Sequence, residues 1–255
     1  MKYVDDAASR ALLSKRGKDA SDAREAMAKV PAQVGGVTLF ASIILDPTSD
    51  QKAGSLKPLS WAFLRSITHV TNFLGDVGAP TEPGSHDVTA DRFPDRRHQT
   101  AFHDAYREAF DYVPHGRTPK AAGLHDFIRE ADATHCAPLR LADFFAGTVR
   151  AWALAERRYD ADPGSRTGKS TARPRFSLNR YMPHIRSGSY GGRRKSGYGL
   201  AIWPDSRRAQ LDLWLARTRG ERADEVYREQ GAEVGRNEAG ELVLRVTAGT
   251  VRTYE

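Results

Sequence analysis

The nine residues from Val37 to Leu45, VTLFASIIL, form a nearly unbroken run of apolar and β-branched side chains that the Asp46-Pro47 pair brings to a stop. A run this short and this apolar is expected to be a strand buried on both faces, anchoring the centre of a sheet. Such a strand needs helices to cover it, so the chain is predicted to be α/β.

The rest of the first 160 residues supplies that partnership. The opening Lys2-Tyr3-Val4 is short and β-prone and ends in Asp5 and Asp6, which predicts a first strand with acids at its carboxyl end. Residues 7–31 are charged and read as a surface insertion with short helices, one of them starting at Asp22, where Glu25 completes a capping box. Leu59, Phe63, Ile67, Val70 and Phe73 recur every three or four residues, the stripe of a core helix over 59–74. In His86–Asp91 the apolar Val88 and Ala90 alternate with polar neighbours, so a short strand delivers Asp91 at its end. A helix over 97–110, a strand over 124–130 and a helix over 139–158, with Pro138 suited to its first turn, complete the order.

At 255 residues the chain can hold one α/β core and an appendage without covalent staples. Cys136 is its one cysteine, which excludes an internal disulfide framework and a cysteine-rich zinc site and fits a reducing compartment, the cytoplasm being the expectation. No run approaches the roughly 20 apolar residues that cross a bilayer, so neither membrane insertion nor secretion is expected.

Charge is unevenly spread. The formal net charge is +7, which favours polyanionic partners. Between Pro163 and Leu200 there are nine basic residues, Arg166, Lys169, Arg173, Arg175, Arg180, Arg186, Arg193, Arg194 and Lys195, and no acid. Phe176, Tyr181, Tyr190 and Tyr198 lie among them, a pattern that can neutralise phosphates and offer aromatic faces to unstacked bases. Low apolar content makes residues 159–200 a Gly/Ser/Arg-rich loop or linker in this reading. The Gly164–Ser170 string GSRTGKS is one residue too short for a phosphate-binding P-loop and follows no strand, so it reads as part of the same basic strip. Residues 201–255 are expected to be a small α+β appendage: an amphipathic helix from Ser206, a charged helix to about Gln230, and a hairpin within 241–254.

Three acidic positions carry the chemical expectation: Asp5 with Asp6, Asp91, and Asp143. The first two end strands, where open α/β sheets form their sites. Asp143 lies on a helix whose apolar stripe is Leu141, Phe145, Val149 and Trp152, with the small Ala146 and Gly147 three and four residues beyond the acid. A carboxylate pressed against a sheet is costly unless a cation or donor meets it. Hard divalent ions suit carboxylates, and a pair of them supplies the activated water and charge neutralisation that phosphodiester hydrolysis needs. The simpler alternative makes Asp5 and Asp91 strand-end caps and pairs Asp143 with Arg140 or Arg150.

The strings KYVDDA, TADRF and LRLADFFAGTVRAW resemble a broad prokaryotic family catalogued as domain of unknown function number thirty-eight hundred. Its members open on a strand ending Asp-Glu-Ser-Gly, carry a strand-end Asp midway and close on Ala-Asp-x-x-Ala-Gly. The resemblance covers residues 1–158, and Ala142-Asp143-Phe144-Phe145-Ala146-Gly147 is its most specific part. It implies a ribonuclease H-like mixed sheet flanked by helices, with Asp5, Asp91 and Asp143 as Mg²⁺ or Mn²⁺ ligands and Asp6 as a fourth. Asp6 stands for the family's Glu, and Ala7-Ala8 for its Ser-Gly.

The expectation is therefore a metal-dependent nuclease acting on DNA or RNA, with a catalytic domain over 1–158. A nucleic-acid-binding protein that has lost catalysis is the alternative, made credible by the Asp6 and Ala7-Ala8 departures, and an interaction module with a solvated basic loop is a third reading. The histidines show no metal-ligand spacing, His86 near Asp91 being the exception.

Overall fold

The computed structural model describes residues 20–45, 57–111, 123–161, 168–186, 188–190, 193–195, 199–203, 207–221, 232–236 and 242–246. Their order is α1 (Ala20–Val34), β1 (Ala41–Ile44), α2 (Lys57–Asp76), β2 (His86–Asp91), α3 (Arg96–Asp111), β3 (Leu124–Ala131), α4 (Ala137–Ala161), α5 (Gly168–Asn179), a 3₁₀ turn (Met182–His184), β4 (Gly188–Tyr190), β5 (Arg193–Lys195), β6 (Leu200–Trp203), α6 (Arg208–Arg219), β7 (Ala232–Arg236) and β8 (Leu242–Val246). The class is mixed α/β, as the long apolar run predicts. No helix among the described residues is long and apolar enough to cross a membrane.

The mixed sheet expected is present only in pieces among the described residues, and its predicted first strand, Lys2-Tyr3-Val4, lies outside them. The described strands form four two-stranded sheets: parallel β1–β6 and β2–β3, antiparallel β4–β5 and β7–β8. β1 is correspondingly shorter and less buried than a central strand. Leu39 and Ile43 are buried while Phe40, Ala41, Ser42 and Ile44 are half-buried, because β6 is the one described strand hydrogen-bonded to β1. β8, the described part of the 241–254 segment, pairs with β7 upstream, Val234 facing Leu244; residues 247–254 of the hairpin expected there lie outside the described residues.

Two apolar clusters hold the chain together. In the first, Leu39 and Ile43 of β1 and Leu200 and Ile202 of β6 pack on α4, α5 and α6 through Phe145, Trp152, Leu178, Leu211 and Trp214. In the second, Val88 and Ala90 of β2 and Ile128 of β3 pack on Ile67 of α2 and Tyr106 of α3. Each fully buried side chain of this size contributes about 1.5–3 kcal/mol. α2 joins the two, since it also packs on β1, where the Ser42 and Ser66 hydroxyls are 3.0 Å apart.

The stretch read as a loop or linker contains α5 and the 3₁₀ turn, and Leu178, Tyr181 and Ile185 enter the first cluster almost fully buried. The segment read as an appendage enters the same cluster through β6 and α6. α6 ends at Gly220, whose φ of 74° closes a left-handed cap with its N–H on the Ala216 and Arg217 carbonyls. Trp152 Nε1 donates to Thr218 Oγ1 at 2.7 Å, tying α4 to α6.

Candidate functional site

Asp5 and Asp6 lie outside the described residues. Asp91 is the last residue of β2, on the exposed face of the alternating strand that also carries Asp87 and Thr89. The parallel register sets it opposite Ala131, so the carboxyl ends of β2 and β3 coincide. Its Oδ1 accepts hydrogen bonds from the N–H of Arg92 at 2.9 Å and of Ala133 at 3.2 Å. These are the contacts of a strand-end cap, and they engage one of its two oxygens.

Ala133 is also held through its other backbone group. Its carbonyl accepts a hydrogen bond from Arg140 Nε at 3.3 Å, and Arg140 Nη2 donates to the Thr134 carbonyl. Arg140 sits in the first turn of α4, three residues before the half-buried Asp143. One residue, Ala133, thus links the Asp91 carboxylate to the helix that carries Asp143 through its N–H and its carbonyl, and α4 packs on β2.

Asp132 is the acid that sequence reasoning missed. It follows β3 directly, and its Oδ1 accepts from the Thr134 N–H at 2.8 Å and from the Thr134 hydroxyl. Those hydrogen bonds, with the more distant Arg92 and His135, hold its carboxyl below the usual carboxylate range. The sequence pattern ends the strand at Glu130, one residue short of the last residue of β3, Ala131. His86, the histidine singled out for its nearness to Asp91, is turned elsewhere: its Nε2 meets the Pro80 carbonyl at 3.0 Å.

Among the described residues no group of three or more His, Cys, Asp or Glu side chains is placed to hold a metal ion. Asp91 and Asp143 are hard oxygen donors of the type Mg²⁺ and Mn²⁺ take, and Asp91 Oδ2 accepts no hydrogen bond from the described residues.

The basic strip divides. Arg166 lies outside the described residues, Lys169 and Arg173 are residues of α5, and Arg193, Arg194 and Lys195 form β5 opposite Gly188–Tyr190. Arg180 lies 4.5 Å from the centroid of the Phe176 ring, which is 60% exposed. Two of the nine cations are committed inward. Arg175 grips the fully buried Glu156 with both Nε and Nη2, the latter at 2.9 Å. Arg186 is buried, bonded to Asp76 and, through Nη1, to the His69 carbonyl at 3.0 Å. The expectation of nine phosphate-facing cations is corrected for these two: a guanidinium turned inward onto a carboxylate partner is already neutralised.

Glu156 belongs to a larger network that no sequence motif announces. Arg217 Nη2 bridges Glu156 Oε2 at 3.0 Å and Asp160 Oδ1 at 2.7 Å, and Trp214 Nε1 donates to Asp160 Oδ2 at 2.6 Å. The guanidinium groups of Arg175 and Arg217 lie 5.1 and 5.0 Å from the centroid of the Tyr159 ring. These contacts clamp α4, α5 and α6 together.

A second concentration of positive charge surrounds α2. His69 is pushed down to about 4, first by burial and then by Arg186, Arg65 and Arg208. Comparison of the chain with protein-family models, curated proteins and solved structures found no match.

Proposed function

We propose that the protein binds nucleic acid and hydrolyses its phosphodiester bonds with divalent metal, on a ribonuclease H-like arrangement, and that Asp91 and Asp143 hold the ion with Asp5 and Asp6. The observation that carries this reading is the Ala133 link, which joins a strand-end carboxylate to an acid-bearing helix at the carboxyl end of a parallel strand pair. Bound Mg²⁺ or Mn²⁺ supplies the activated water and neutralises charge on the attacked phosphate. The chain's own part is to fix the acids: the Arg92 and Ala133 N–H groups orient Asp91, and Arg140 anchors the first turn of α4. β5 and the Phe176–Arg180 pair, whose ring is exposed, offer cations and an aromatic face to a nucleic-acid strand.

The test is cleavage of single- and double-stranded DNA and RNA with Mg²⁺ or Mn²⁺. Cleavage is expected to stop with a chelator and in Asp91→Asn and Asp143→Asn, which keep shape while removing a charge. Both variants are expected to keep their affinity for nucleic acid. Binding without cleavage of any form supports the second reading, a nucleic-acid-binding protein without chemistry. That reading is favoured by the Asp91 Oδ1 hydrogen bonds, which a simple strand-end cap also explains. Neither binding nor cleavage overturns both.

A further inference from the structure

The chain has four tryptophans, and they divide by environment. Trp152 and Trp214 are 0% exposed and lie in the core. Trp61 and Trp203 are half-buried and meet each other, their ring centroids 4.9 Å apart at an interplanar angle of 57°. Trp203 is the last residue of β6, beside Ile44 at the end of β1. The pair therefore sits at the carboxyl ends of the parallel β1–β6 strands, the position at which open α/β sheets bind ligands.

Two exposed cations frame the pair. The guanidinium of Arg65 lies 5.6 Å from the centroid of the Trp61 ring. The second, Arg157 of α4, donates from Nη1 to the Leu45 carbonyl at 3.1 Å, and the Leu45 N–H in turn donates to the Trp203 carbonyl at 3.1 Å. Partly open indoles flanked by guanidinium groups combine a π-face for any base with positive charge for the adjoining phosphates. Duplex DNA keeps its bases stacked inward and cannot use the indole faces; an unpaired strand can.

We infer that Trp61, Trp203, Arg65 and Arg157 form a stacking platform for an unpaired nucleic-acid strand, at the ends of β1 and β6, a different strand pair from the one that carries Asp91. The inference rests on nucleic acid being the partner, and it names the form of that partner: single-stranded, with little preference of sequence.

Intrinsic fluorescence reads this directly, because two of the four tryptophans are fully buried. Titration of the full chain with a thymine oligonucleotide of about 16 nucleotides, long enough for such sites, is expected to quench the emission of Trp61 and Trp203. A duplex of the same length is expected to quench less. Trp61→Leu is expected to weaken single-strand affinity on the order of tenfold, since one base loses its stacking partner. Arg65→Gln, at an exposed position outside the core, is expected to weaken it several-fold and to flatten the salt dependence by about one phosphate contact. Circular dichroism confirms that each variant is folded. Wild-type affinity in both variants, with nucleic acid still bound, overturns the platform and leaves the proposed function standing. Failure of the wild-type chain to bind any oligonucleotide, single or double, overturns both.

Discussion

His69 shows what a single residue contributes. Burial and the charges of Arg186, Arg65 and Arg208 lower its pKa from 6.5 to about 4, while Asp76 pairs with Arg186 beside it. A group that resists protonation in the folded chain favours folding while it is neutral in both states, above about pH 6.5. That contribution is lost as the pH falls towards 4, where only the unfolded state first takes up the proton. Unfolding by urea is expected to show a stability at pH 4.5 lower than at pH 7.5 by about 2 kcal/mol, the linkage value for such a shift. His69→Gln is expected to remove most of that difference; an unchanged pH dependence in the variant contradicts the assignment. Asp95 and Asp132 act in a separate window. Hydrogen bonds, chiefly from His98 and Thr134, depress both carboxyls, so their contribution is present above about pH 4 and is lost below it.

At the scale of elements, the Glu156 network decides how α5 and α6 sit on α4. Removing one partner of a buried ion pair leaves the other uncompensated, at about 3–5 kcal/mol. Glu156→Leu is expected to lower stability by about 3 kcal/mol, the low end of that range because Arg217 keeps Asp160. A loss under about 1 kcal/mol in urea unfolding means the network is dispensable. The same elements explain what could be read in the sequence. The helical stripe of Phe63, Ile67 and Val70 and the alternation in His86–Asp91 are local signals, and α2 and β2 lie where those signals put them. α5 was not legible, because the partners that let its segment fold inward are remote: Glu156 is 19 residues from Arg175, and Asp76 is 110 from Arg186. Without those carboxylates the run reads as solvated charge. Register is equally invisible, so Asp132 could not be set beside Asp91, nor the Trp61–Trp203 contact foreseen.

In the whole molecule, affinity and chemistry belong to different elements. Arg193, Arg194 and Lys195 form β5, while Asp91 and Asp143 belong to β2 and α4. Changing the three cations to Ala is expected to flatten the slope of log affinity against log salt by up to about 2–3 units on duplex DNA, since each phosphate contact contributes roughly 0.9. An unchanged slope makes the hairpin a solvated loop with no part in binding. The central claim, that acids at the end of β2 and on α4 gather around a divalent ion, is tested most directly by crystals of the full chain soaked in Mn²⁺. An anomalous-scattering peak is expected within about 2.1 Å of carboxylate oxygens of both Asp91 and Asp143, the distance a hard octahedral ion keeps. A well-ordered pair of carboxylates with no peak between them, or manganese bound only elsewhere, contradicts it.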